Sequence, residues 1–271
     1  MQALPIVSSS QLPKHDNEEF WREFLNGGHS KEHVFRKVLK FIPQEPRCRL
    51  CAAPFAGVGA PLMRLMGKRP SNQNPNWCGT CFKFMRENHG GAEIECTMLF
   101  ADVRGSTGLA EGMPAGEFRK LMERYYEVAA ATVFENDGVV DKFVGDELVA
   151  MFFPLLAGDH HARFGLGAAR ALLEATGHSD PAGPWIPVGA GLHTGNAWVG
   201  AVGEGAYVTI TALGDAVNIA ARLGSAAGAG EILVTAAAAE AAGLDPELER
   251  RPLELKGKQE VVDVVTLTVV P

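Results

Sequence analysis

The segment from Ile94 to Val103 (IECTMLFADV) is a nearly continuous apolar run that ends beside an acidic residue, Asp102, and is followed at once by Arg104-Gly105-Ser106-Thr107. A run of this kind reads as a strand covered on both faces, and the turn-forming residues after it read as the opening of a helix. Phe118, Leu121, Met122, Tyr125, Val128, Ala129 and Val133 then mark one face of a long helix that ends by Gly138. From Val139 to Phe153 (VVDKFVGDELVAMFF) two apolar arms flank Gly145-Asp146, which predicts a hairpin. A second helix is expected from His160 to Thr176. Pro187 to Val202 reads as strand, turn, strand around Thr194-Gly195. Asp215 to Leu223 is expected to be helical and Ile232 to Thr235 a short strand. Thr235 is placed to cap an Ala-rich helix that stops at Gly243, and two final strands surround Lys256-Gly257-Lys258. Strands and helices that interleave, with hairpins among them, predict an α+β sandwich of the ferredoxin-like, palm type rather than a doubly wound parallel sheet.

The first third has a different texture. Between Asn17 and Lys40, and just beyond at Phe41, the apolar residues Phe20, Phe24, Val34, Phe35, Leu39 and Phe41 recur at helical spacing, broken by Gly27 and Gly28, which predicts two short amphipathic helices. Pro43 to Gly91 is rich in Gly, Pro, Asn and Cys and is a poor candidate for a core built by burial alone. Within it, Cys48-x-x-Cys51 and Cys78-x-x-Cys81 supply two knuckles of two thiols each, the usual ligand set of a closed tetrahedral zinc site. An iron-sulfur cluster, a redox dithiol pair or free thiols are the other readings. Ligation would supply folding energy that burial cannot. Cys96 lies in the apolar run and reads as a buried apolar residue. The expected organisation is a helical segment over 1–47, a Cys-rich zinc-ribbon-like module over 48–91 and a larger domain over 92–271.

The net charge of -7 argues against nonspecific nucleic-acid binding, so a polyanionic substrate must meet cations arranged locally. The opening residues MQALPIVSSSQLPKHD carry neither a basic region nor a long apolar one, which reads as no secretory signal. The apolar stretch from Leu148 to Ala157 contains Pro154 and falls far short of the ~20 residues a spanning helix needs. The expectation is a cytoplasmic protein with no membrane span.

Asp102 sits where a strand gives way to a helix, and Asp146 sits in the turn of a hairpin that could lie beside it. Two converging carboxylates are costly without a cation, and an oxygen-rich site suits Mg²⁺ or Mn²⁺ completed by substrate phosphates. Val103 to Thr107 adds backbone N–H groups at a helix start, which favour bound phosphate. Taken singly, Asp102 could equally be a helix cap and Asp146 an ordinary turn residue. Asn218 and Arg222 are four apart and share a helix face. A guanidinium beside a carboxamide suits charge building on a phosphoryl group, although a solvated helix face has the same spacing. Lys142 and Lys256 could likewise be surface lysines.

Five motifs in order change that balance: FADVRGST (Phe100 to Thr107), KFVGDELVAMF (Lys142 to Phe152), GLHTGNAWVG (Gly191 to Gly200), TALGDAVNIAARL (Thr211 to Leu223) and LKGK (Leu255 to Lys258). From Ile94 onward the chain resembles the catalytic domain of class III adenylate and guanylate cyclases. The resemblance implies that Asp102 and Asp146, with the Val103 carbonyl, bind two Mg²⁺ or Mn²⁺ ions per site, and that Arg104, Gly105, Ser106 and Thr107 lie against the substrate phosphates. It implies that Lys142 and Thr211 read the base, Asn218 orients the ribose, Arg222 stabilises the transition state and Lys256 contacts the triphosphate. Thr211 stands where many relatives have Asp, which looks like subclass IIIb. The family's sites lie between the two subunits of a head-to-tail dimer. Because both residue sets are present here, the chain resembles a homodimeric adenylate cyclase that converts ATP to cyclic AMP and pyrophosphate. A guanylate cyclase and a degenerate nucleotide-sensing relative are the alternatives. The sequence Val144 to Leu148 is also similar to the hairpin of diguanylate cyclases, which lack the Asn-x-x-x-Arg helix. There is no G-x-x-x-x-G-K-[ST] phosphate loop. The cysteine module, placed just before the catalytic domain, is expected to hold subunits in register or to couple redox state to activity.

Overall fold

In the computed structural model, residues 17–27, 36, 38–39, 46–72, 77–203, 208–254 and 261–269 are described. The first helices whose ends fall among the described residues are α1 (Glu18–Leu25), α2 (Ala60–Leu65) and α3 (Gly79–Glu87). They are followed by β1 (Gly90–Val103), α4 (Ser106–Gly112), α5 (Ala115–Glu135), and the hairpin of β2 (Val139–Val144) and β3 (Glu147–Phe152). A short α6 (Pro154–Ala157) leads to α7 (His161–Ala175), β4 (Val188–Val202), β5 (Thr209–Leu213) and α8 (Asp215–Ala226). The chain closes with β6 (Glu231–Thr235), α9 (Ala236–Ala241), β7 (Arg250–Leu253) and β8 (Val262–Thr268).

The strands form one sheet in the order β2-β3-β1-β4-β6-β8-β7, with β5 paired to the outer part of β4. Its first four strands, with α5 and α7 as crossovers, give the βαββαβ arrangement expected of a ferredoxin-like sandwich. β1 and β4 pair antiparallel along their whole common length, from Gly90 opposite Ala201 to Val103 opposite Val188.

Apolar alternation along these strands assigns the two faces. Leu99, Ala101, Val103, Leu148, Ala150 and Leu192 pack under α5, α7 and α9. Ile94, Cys96, Met98, Phe100, Val149 and Val199 face the other way and share one core with Trp21, Phe24, Trp77, Phe82 and Met85. The Gly- and Cys-rich segment, poor in core-forming residues when taken alone, therefore borrows the sheet as its second layer. Of the second helix expected before residue 41, only Arg36, Val38 and Leu39 are described, and all three are helical.

Two expectations need correction. The strand, turn, strand read into Pro187 to Val202 is one strand: Gly195 pairs with Cys96 inside the ladder. Thr194 is buried there, and its hydroxyl lies 2.7 Å from that of Thr97, which in turn meets His161 Nδ1 at 2.9 Å. A Thr-Gly pair has turn chemistry only if the chain reverses, and the long partner strand prevents that. The helix expected after Val103 is also divided, because Met113 is extended (φ -141, ψ 158) before Pro114, as steric conflict with a following proline ring favours. The hairpin, the helix from His161 and the Thr235 cap, whose side chain accepts from the Ala238 N–H, are as expected.

α8 packs closely on β4 at Gly191 and on β1 at Gly224, where a Cβ would fall 2.8 Å from the Phe100 Cβ. A Cβ at Gly191 would fall 2.2 Å from the Gly224 N and 2.5 Å from the Leu223 Cβ, and neither backbone can retreat without moving the helix. Gly191→Ala is expected to lower the unfolding free energy by about 1–3 kcal/mol, the usual range for overpacking. Denaturant unfolding of the purified variant checks this.

Candidate active site

Register builds the acidic end of the site. β1 pairs β3 with Ala101 opposite Leu148, so the next step along the pair brings Asp102 beside Glu147 and the turn that carries Asp146. That turn is a two-residue loop with Gly145 at φ +63, the left-handed conformation that hairpin turns of this length favour at their first central position. Tyr126 from α5 donates to the Gly145 carbonyl at 2.7 Å and so fixes the tip from below. Tyr125 donates to the Ala101 carbonyl at 3.1 Å and fixes the end of β1.

Electrostatics show how crowded the acids are. Burial, and then Asp146, push the Asp102 carboxyl above its ordinary value, against the opposing pull of Arg104. Glu147 is pushed up to about 7 by burial and by the charges of Asp102 and Asp146. Arg104 bonds the Asp102 carboxylate and also donates to the carbonyls of Ser225 (2.9 Å) and Ala227 (3.2 Å) at the end of α8. A carboxylate group held this close fits a divalent cation, whose charge would relieve the crowding. Val103 is buried at the end of β1, Gly105 is left-handed (φ 69) and precedes α4, and Ser106 and Thr107 form the first residues of that helix.

The base-reading pair expected from the sequence is also assembled. Lys142 on β2 and Thr211 on β5 meet at one carboxylate, Asp141. The Thr211 hydroxyl donates to Asp141 Oδ2 at 2.7 Å, and the Lys142 ammonium lies 3.2 Å from the same oxygen. Asp141 was not singled out by the sequence. Its position next to Lys142 was the one available signal, and it reads there as an ordinary strand residue. Asn218 is exposed and Arg222 half-buried on α8. Among the described residues no hydrogen bond or ion pair joins them to Asp102 or Asp146. Lys256 falls outside the described residues.

The four cysteines converge as well. The sulfurs of Cys48, Cys51, Cys78 and Cys81 all lie within 4.8 Å of one another, and Cys51 and Cys78 are 3.7 Å apart. Zinc with four thiolates at about 2.3 Å requires sulfur separations near ~3.8 Å. The first knuckle closes through bonds from the Cys48 N–H to the Ala53 carbonyl and from the Ala52 N–H to the Cys48 carbonyl, both 2.9 Å, with Ala52 held at φ 61. In the second, Cys78 caps α3 and accepts from the Cys81 N–H at 3.4 Å. Hydrogen bonding from the other three thiols, then the Lys68 ammonium 3.6 Å away, holds Cys51 well below the usual thiol range, and the same sharing pushes Cys48 and Cys81 up. Cys96 is separate, buried in β1, and burial pushes its thiol up to about 12, in keeping with a purely apolar role.

The first knuckle is tied to β2. Buried Arg36 donates to the carbonyls of Arg49 (2.9 Å) and Leu50 (2.6 Å) on one side and Gly138 (3.2 Å) on the other. Arg49 donates to the Val140 carbonyl at 3.2 Å.

This fold and motif order have known counterparts. The chain belongs to the family described as the adenylate and guanylate cyclase catalytic domain, whose model matches residues 91–267. It is 34% identical over 134 residues to adenylate cyclase 1 of Rhizobium meliloti, a match that covers 48% of this chain and 20% of that protein. The chain thus spans a minor part of that curated relative. Among solved structures it is similar to the adenylyl cyclase CyaB from P. aeruginosa (26% identity, TM-score 0.56, covering 65% of this chain and 94% of that one). It shares its fold with the guanylyl cyclase Cya2 (24% identity, TM-score 0.60, covering 65% and 93%). No helix among the described residues is long and apolar enough to cross a membrane.

If the four sulfurs hold a metal, protein purified without added zinc will carry about one zinc per chain, and Cys81→Ala will lose it together with several kcal/mol of stability. Elemental analysis with thermal unfolding checks both, and protein free of zinc and iron alike would contradict the assignment.

Proposed function

We propose that this nucleotidyl cyclase domain is an adenylate cyclase that forms 3',5'-cyclic AMP and pyrophosphate from ATP at sites shared by two copies of the chain. The observation that carries the reading is the register that delivers Asp102 and the Asp146 turn to one place beside the start of α4. There the two carboxylates and the Val103 carbonyl would hold a pair of Mg²⁺ or Mn²⁺ ions. When bound, such ions supply positive charge for the phosphates and acidify the ribose 3'-hydroxyl.

The chain's own residues do the rest. The N–H groups of Gly105, Ser106 and Thr107 at the helix start face the phosphates, while the Arg104 N–H is held by the Pro187 carbonyl at 2.8 Å and Arg104 contributes its side chain beside Asp102. Lys142 and Thr211 hold the base, Asn218 orients the ribose, and Arg222 meets the charge that builds on the α-phosphate during in-line attack. Lys256 contacts the triphosphate. Asn218 and Arg222 make no bond to Asp102 or Asp146 within one chain, which is the arrangement a shared site requires. A head-to-tail homodimer would then contain two equivalent sites. The four-cysteine cluster is read as a structural zinc site that braces β2 through Arg36 and Arg49.

ATP is favoured over GTP by the Lys142 and Thr211 pair and by the adenylate cyclase relatives. Asp102→Ala and Arg222→Ala are each expected to reduce cyclic AMP formation by about two to three orders of magnitude, on the scale of a lost oxyanion-type contact, without shifting the unfolding midpoint. A folded Asp102→Ala protein with most of its activity would remove the metal assignment. With equal ATP and GTP and Mn²⁺, cyclic AMP should predominate; predominant cyclic GMP would overturn the substrate choice.

A further inference from the structure

β2 departs from regular pairing at one place. Its register with β3 shifts between Val140 and Lys142, so Asp141 is the extra residue of a β-bulge. A bulge re-aims a side chain that strict alternation would send to the opposite face from its neighbour. Asp141 is thereby turned toward β5, where its carboxylate is 4% exposed, takes the Thr211 proton at 2.7 Å and lies 3.2 Å from the Lys142 ammonium. Arg49, half-buried beside the first cysteine knuckle, adds a second positive charge that interacts electrostatically with Asp141. Thr211 is buried too, at 4% exposure, so the carboxylate rather than water is the acceptor for its hydroxyl proton.

That commitment has a chemical consequence. A threonine hydroxyl offers one proton and two lone pairs. With the proton spent on Asp141, Thr211 presents acceptor character alone, beside the donor character of Lys142. Adenine matches this pair, because its exocyclic amine donates and its ring N1 accepts. Guanine presents the reverse along the same edge, an accepting O6 and a donating N1–H. We propose that Asp141 is the positioning residue that sets adenine selectivity, by fixing the hydrogen-bond polarity of Thr211 and holding the Lys142 ammonium. The proposal rests on the reading of Lys142 and Thr211 as base contacts, and it assigns to Asp141 a role through them rather than a contact with substrate. Without Asp141 the Thr211 hydroxyl is free to rotate and donate to guanine O6, and the discrimination weakens.

The test is the ratio of kcat/KM for ATP to that for GTP, measured with Mn²⁺ for the full chain and for Asp141→Ala, Thr211→Val and the double variant. Asp141→Ala is expected to lower the ratio about tenfold, the scale of one hydrogen bond changed from favourable to unfavourable, mainly through KM. Because both single changes remove the same oriented acceptor, their effects should fail to multiply in the double variant. Asp141→Asn preserves the side-chain shape and loses the charge that holds Lys142, so it should show a smaller fall in the same direction; it serves if the alanine variant does not fold. A purely structural role would lower kcat for both nucleotides and leave the ratio alone. A wild-type ratio in either folded Asp141 variant, or effects that multiply, overturns the proposal. A wild-type protein that forms no cyclic nucleotide, or mainly cyclic GMP, removes the functional reading itself, whereas cyclic AMP formation with unaltered selectivity in the variants removes only the role of Asp141.

Discussion

The antiparallel ladder between β1 and β4 is the interaction on which the remaining structure depends. It runs from Gly90 opposite Ala201 to Val103 opposite Val188 and leaves no slack for either strand to slip. A slip by one residue would turn every side chain of β1 to the opposite face, and Leu99 and Ala101 would exchange layers with Met98 and Phe100. The same ladder fixes where β1 ends. Asp102 is at that end, next to the hairpin that β1 pairs through β3, so the sheet's register and the position of the acidic site are one constraint. Close approach of α8 through Gly191 and Gly224 then sets Asn218 and Arg222 on a rigid helix rather than a loop.

The N-terminal part of the chain extends this architecture. Its aromatic residues complete the face of the sheet opposite α5 and α7, and its cysteine knuckle reaches the start of β2 through buried Arg36 and half-buried Arg49. Such a bonded path gives the four-sulfur cluster a mechanical grip on the strand that carries Asp141 and Lys142. The grip is made of backbone carbonyls, which are insensitive to side-chain identity on β2. Arg36, 1% exposed and also 3.7 Å from Asp137, is costly to bury, and this many partners are what compensates it.

Much of this was legible in the sequence, for identifiable reasons. The hairpin at Gly145 and the cap at Thr235 depend on local turn and cap chemistry, and ordered motifs single out the residues proposed for the site, Asp102, Asp146, Lys142, Thr211, Asn218 and Arg222. What sequence reading missed depends on distant partners. Thr194-Gly195 looks like a turn until the facing strand is known to continue past it. The bulge at Asp141 leaves no mark in hydrophobic periodicity, because it is decided by pairing with β3. The docking of Trp21, Phe24, Phe82 and Met85 was hidden because the short apolar faces that carry them do not name their partner, and the surface that covers them lies far along the chain.

The central claim is that one catalytic site draws its acids from one subunit and its helix residues from the twin. Mixing the two inactive proteins Asp102→Ala and Arg222→Ala tests it most directly. Under random exchange half of the dimers are mixed, and each mixed dimer has one site with every residue intact, so cyclic AMP formation should return to about a quarter of the wild-type rate. If the mixture stays as inactive as its components while subunit exchange is demonstrated by a tagged copy, the shared-site account is wrong.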